Sequence, residues 1–115
     1  MPRPAPPLPL ELIWRGPPRD ALEAARGAVE AAGGAVVDAH AFSDLHLHLA
    51  VELDPAAAPA LLAALSAAGL EVEARSAEAL RAAATPPSAE LRLALGLRLS
   101  QGTGELRREV PAVPG

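Results

Sequence analysis

Three histidines, His40, His46 and His48, are the only ones in the chain. Imidazole is the commonest side chain for transition-metal ligation and for proton transfer near neutral pH. Leu45, Leu47, Leu49, Val51 and Leu53 alternate with Asp44, His46, His48, Ala50 and Glu52, a period of two that places both histidines on the polar face of one strand. Residues 35–42 read as the preceding strand, joined by a tight connection near Ser43 and Asp44. If Phe42 stands opposite His46, then His40 stands opposite His48, and Asp38, His40, His46 and His48 share an outer face. That set could hold Zn²⁺ or another transition metal, with a carboxylate or water as the fourth ligand. The alternative is an open face of solvated or interface histidines, and Phe42 on the same side favours a covered surface.

Other chemistry has less material. Ser43, His46 and Asp38 spell a hydrolase triad, but nothing around Ser43 resembles a strained nucleophile elbow. Gly33-Gly34 and Gly102-Thr103-Gly104 lack the strand, loop, helix context and the lysine of a phosphate cradle, so they read as a helix stop and a hairpin turn. Arg92, Arg98, Arg107 and Arg108 offer either an anion-binding surface or a solvated face paired with Glu71, Glu73 or Glu105. Arg3, Pro6 and Pro9 have the spacing of a polyproline ligand, against the plainer reading of an extended lead-in.

The elements that must position these residues belong to one domain. The chain has 115 residues, and its hydrophobic half consists largely of 28 alanines, with Trp14 and Phe42 the only aromatics besides histidine. Net charge is −4, and all ten basic residues are arginine. A net acidic chain with two aromatics argues against nucleic-acid binding. Cysteine is absent, which excludes disulfides, thiolate metal sites and cysteine nucleophiles. No uninterrupted apolar stretch of signal-peptide or membrane-span length occurs, so the expectation is a cytoplasmic protein with no membrane partner.

After a proline-rich lead-in over residues 1–9, the pattern predicts a strand over 10–14, a helix over 19–32 stopped by Gly33-Gly34, and the two strands above. A helix beginning near Pro59 carries Leu61, Leu62, Leu65 and Ala68, and a fourth strand over 70–75 turns Val72 and Ala74 inward. Strand, helix, strand, strand, helix, strand is the ferredoxin-like βαββαβ order, an α+β fold with a four-stranded antiparallel sheet and both helices on one face. Residues 76–115 read as an extension: a short helix over 77–84 capped by Ser76, then a C-terminal β-hairpin. Its first strand alternates Leu91, Leu93, Leu95, Leu97 and Leu99 with Arg92, Ala94, Gly96 and Arg98, and its second returns over Glu105 to Val110. A lone hairpin is marginal in water, so that leucine row must join the domain's own sheet, cover its open face or dock on another subunit.

Residues 10–75 resemble the ACT-domain type of ferredoxin-like module. The resemblance rests on Glu30-Ala31-Ala32-Gly33-Gly34-Ala35-Val36-Val37-Asp38-Ala39, a helix end, glycine and short strand with an acidic residue. It rests also on the first loop, Gly16-Pro17-Pro18-Arg19-Asp20-Ala21. Where the family places proline and glycine at the helix start, this chain has Asp20 and Ala21, and Asp20 serves instead as an N-cap. The resemblance implies a non-catalytic regulatory module that binds a small molecule such as an amino acid as a homodimer or higher homo-oligomer. Arg15, Gly16, Arg19, Asp20 and Asp38 are then the ligand candidates. A structural or protein-interaction domain without a small ligand is the alternative, and a metal protein using the histidine face is a third reading. Otherwise no cofactor is expected.

Overall fold

The structure, a computed structural model, describes residues 6–43, 45–84 and 90–100. Among the described residues, five strands and three α-helices follow one another as β1 (Leu8–Trp14), α1 (Ala21–Ala31), β2 (Ala35–Ser43), β3 (His46–Leu53), α2 (Ala58–Ala67), β4 (Leu70–Val72), α3 (Ala74–Ala83) and β5 (Leu91–Leu99). They form one five-stranded sheet in the order β2-β3-β5-β1-β4.

β5 decides the architecture. It lies between β3, to which it is antiparallel, and β1, to which it is parallel. The sheet is therefore mixed, not the four-stranded antiparallel sheet expected from β1 to β4. Nor is the Leu91–Leu99 strand an appendage, because β5 has both ladder sides occupied along its length. The expected return strand over Glu105–Val110 lies outside the described residues.

The physical reason lies in its side chains. Leu93, Leu95, Leu97 and Leu99 are buried, and each sits in a row of apolar neighbours: Leu49, Leu95 and Leu10 in one, Leu47, Leu97 and Leu12 in the next. A central strand offers such a row partners on both sides and helices above. Each buried leucine contributes about 1.5–3 kcal/mol. The opposite side of β5 carries small Ala94 and Gly96 in its middle.

Helices cover the leucine face. α1 buries Ala21, Ala25, Ala28 and Val29, and α2 buries Ala58, Leu61 and Leu65. α1 ends in a Schellman arrangement: Gly34 N donates to Val29 O, Gly33 N to Glu30 O, and Gly33 takes φ +87, a left-handed conformation that glycine adopts without penalty. Asp20 lies just ahead of the helix with helical φ and makes no side-chain cap bond, contrary to the N-cap expectation. Asp54 does cap, accepting from Ala56 N at 3.0 Å ahead of α2.

β4 ends at Val72, and the chain enters α3 at Ala74, three residues before the expected first helical residue at 77. Ala74 is thus an exposed helix residue rather than an inward strand position. Ser76 is buried inside the first turn of α3, where its Oγ accepts the Glu11 N–H at 2.9 Å, and Glu73 N donates to Glu11 O at 3.0 Å. β4 pairs with β1 only over Leu12–Trp14, so the start of α3 takes over the hydrogen bonding that a longer β4 would have supplied. Ser76 therefore serves the edge of β1, not a helix cap. Because both Glu11 backbone groups point away from β5, Pro9 two residues earlier also turns its nitrogen away from β5, which is how a proline is tolerated there. Pro9 is part of β1, not of a free polyproline segment.

Candidate functional site

The outer sheet face, opposite the helices, collects the polar residues of the alternations. Its predicted centre is partly as expected: His40 stands directly across from His48. Phe42, however, is not opposite His46. Ser43 takes that place because the register shifts between Ala41 and Ser43, and a second shift falls between Val36 and Asp38. Each shift inserts one extra residue, Val37 and Phe42, and bulges of this kind re-aim side chains. Val37 and Phe42 are the large apolar side chains left exposed among the described residues, at 54% and 70%.

Phe42 stacks on both histidines, 6.5 Å between ring centroids and 5° between planes for His40, 5.6 Å and 30° for His48. Asp38 Oδ2 pairs with His40 Nε2 at 3.0 Å, while Asp38 Oδ1 accepts the Ala39 N–H. His46 lies two residues along β3 from His48, in the row of Ser43 and Arg98. Among the described residues no group of three or more histidines, aspartates or glutamates is placed to hold a metal ion. The expected His40, His46 and His48 set is therefore not assembled: a phenyl ring lies against two of the imidazoles and the third stands a row away. Nor does the Ser43 triad form. Ser43 Oγ accepts the Leu45 N–H at 3.1 Å, closing the turn, and Asp38 is engaged with His40 rather than His46.

The first loop is bound into the fold. Trp14 Nε1 donates to Pro17 O at 2.8 Å, and a Cβ on Gly16 would stand 2.6 Å from Trp14 Cζ2. Gly16 is thus required by the indole, independently of any ligand. Arg15 reaches Glu71 Oε1 through Nη2 at 2.8 Å and Nε at 3.2 Å. Both side chains are well exposed, so the pair contributes at most about 1 kcal/mol. Arg19 and Asp20 are exposed on the 3-10 turn Pro18–Asp20. Asp38 is three strands away, roughly 14 Å across the sheet, in the row of Pro9 rather than of Arg15. The structure does not bring Asp38 together with Arg15, Gly16, Arg19 and Asp20.

Gly16→Ala is expected to displace the indole and cost about 1–3 kcal/mol. A lowered melting temperature together with a red-shifted tryptophan emission would show it; an unchanged emission maximum would contradict the packing of Gly16 on Trp14.

Two features of the outer face had no signal in the pattern of single strands. The Glu11 carboxylate lies over Gly96, with Oε1 3.4 Å and Oε2 3.6 Å from where a Cβ would stand. The middle of the face is a floor of Ala50, Ala94 and Gly96, with His48 on one side and Glu11 on the other. Arg92 stands beside Glu52 and Arg98 beside His46, while Arg107 and Arg108 lie outside the described residues. The face therefore carries both signs of charge. No helix among the described residues is long and apolar enough to cross a membrane. Compared with known proteins, the chain matches no family model, no curated protein and no solved structure.

Proposed function

We propose that this chain is a non-catalytic assembly module that works as a homo-oligomer through the open face of its sheet. The observation that carries this reading is the exposure of Phe42 and Val37 on the two bulges of β2. A large aromatic side chain aimed outward and held by two stacked imidazoles is a rigid, low-entropy anchor of the kind that dominates protein interfaces. Light scattering coupled to size exclusion is expected to give a mass above the 11.7 kDa monomer at micromolar concentration. Phe42→Asp should weaken association tenfold or more while leaving the melting temperature nearly unchanged, because Phe42 contributes little to the core. A wild-type monomer under these conditions would refute the proposal.

A second reading is an ACT-like regulatory domain of ferredoxin-like type that binds an amino acid. The order strand, helix, strand, strand, helix, strand over β1 to β4 supports it. The engagement of Gly16 with Trp14 and of Arg15 with Glu71 weighs against it. On this reading at least one of the twenty amino acids raises the melting temperature at millimolar concentration; a flat screen leaves the assembly reading.

A further inference from the structure

We infer that the outer sheet face packs against the same face of a second copy of this chain, about a two-fold axis running along β5. This inference rests on the assembly reading above and specifies its surface and partner.

Three observations lead to it. The first is shape. Along β5 the outward positions at the centre are Ala94 and Gly96, with Ala50 beside them on β3. The bulky outward residues stand around this strip: His40, Phe42 and His48 on the β2 and β3 side, Glu11, Ile13 and Glu71 on the β1 and β4 side, and Arg92 and Arg98 toward the two ends of β5 itself. Two twisted sheets can approach closely over such a small-residue strip, and the marginal side chains then fill the space where the sheets diverge.

The second is charge. An axis along β5 lays β3 of one copy over β1 of the other and β2 over β4, because β3 and β1 flank β5 and β2 and β4 lie next outward. His48 then faces Glu11 of the second copy, since both stand beside Gly96, and an imidazole N–H donates to a carboxylate whatever the ring's charge. Arg92 and Arg98, on the axis, come near their own copies, with Glu52 of each copy beside Arg92. The relation is reciprocal, as a two-fold contact requires. A face of mixed sign suits its own copy better than a uniformly charged partner.

The third is extent. Strands of 7, 9, 8, 3 and 9 residues at roughly 4.8 by 3.3 Å per residue amount to about 550 Å² of open face. Two copies bury about 1,100 Å² together, near the lower bound for a specific interface. Smaller overlaps, such as pairing along the exposed β2 edge alone, fall well short, and the two bulges on β2 blunt that edge.

The chain contains no cysteine, so single-cysteine variants of the full chain report contacts cleanly. A residue on the axis meets its own copy. Ala94→Cys and, independently, Gly96→Cys are expected to give a disulfide-linked dimer as the main species under mild oxidation. His40→Cys, off the axis, and Glu23→Cys on α1 should stay unlinked. Linkage at position 40 without linkage at 94 or 96 would mean edge pairing through β2 and overturn the inference while leaving the assembly reading intact. A dimer by light scattering that links at none of these positions would overturn it in the same way. A monomer, whether its outer face is bare or covered by the chain's own terminal residues, would overturn both.

Discussion

A chain ending at residue 90 is expected to have no cooperative thermal or urea transition, and its circular dichroism should be that of a largely unordered polypeptide. Removing an appendage would leave a domain folded over residues 10–75. Removing β5 takes the middle strand from the sheet. β3 pairs with β5 from His46 to Leu53, and β1 pairs with it from Leu8 to Trp14, so the hairpin β2-β3 and the pair β1-β4 would be left with no ladder between them. The four buried leucines of β5 account for on the order of 8 kcal/mol of burial, comparable with the whole net stability of a small domain, about 5–15 kcal/mol. Closing the gap by bringing β3 directly against β1 is open to the chain only if the helices shift by one strand spacing, about 5 Å. A cooperative unfolding transition in the shortened chain would show that this closure occurs and that β5 is dispensable.

Leu95→Ala should lower stability by about 3–5 kcal/mol, toward the upper end for leucine truncations. Leu95 is fully buried at the middle of the central strand, flanked in its row by Leu49 and Leu10, which are themselves fully buried. Neighbours held on both sides by ladders and from above by helices have little freedom to collapse into the space left. The melting temperature should fall by roughly 10–20 °C, whereas Leu22→Ala on the half-buried flank of α1 should cost about 1 kcal/mol. Equal costs at the two positions, read from urea unfolding, would contradict the central placement of β5.

The β2-β3 hairpin was readable residue by residue. Its alternation from Leu45 to Leu53 and the facing of His40 by His48 follow from a period of two and a tight turn, both local properties. The bulges at Val37 and Phe42 were not, since an inserted residue leaves no mark on the composition of the strand. The bulge at Phe42 puts Ser43 rather than Phe42 opposite His46. Ser76 departs from the local expectation for a related reason: a serine ahead of an apolar helix is a good cap by local rules, and only the nearness of the Glu11 N–H of β1 makes it a long-range acceptor inside the helix.

Local chemistry likewise made Gly33-Gly34 a helix stop, and the structure adds that a Cβ on Gly34 would stand 3.0 Å from Glu52 O. By itself the sequence determined the order of the strands and helices as far as β4, the apolar side of the strands that alternate, and that cysteine chemistry is excluded, because those depend on residue type and period. Only the tertiary structure decided where the second leucine alternation goes. Leu91 to Leu99 reads the same whether it lies at an edge, on another subunit or in the middle of the sheet, since its period is identical in all three. The choice falls to the centre because only there do Leu93, Leu95 and Leu97 find apolar rows on both sides, while Ala94 and Gly96 leave the opposite face low and open.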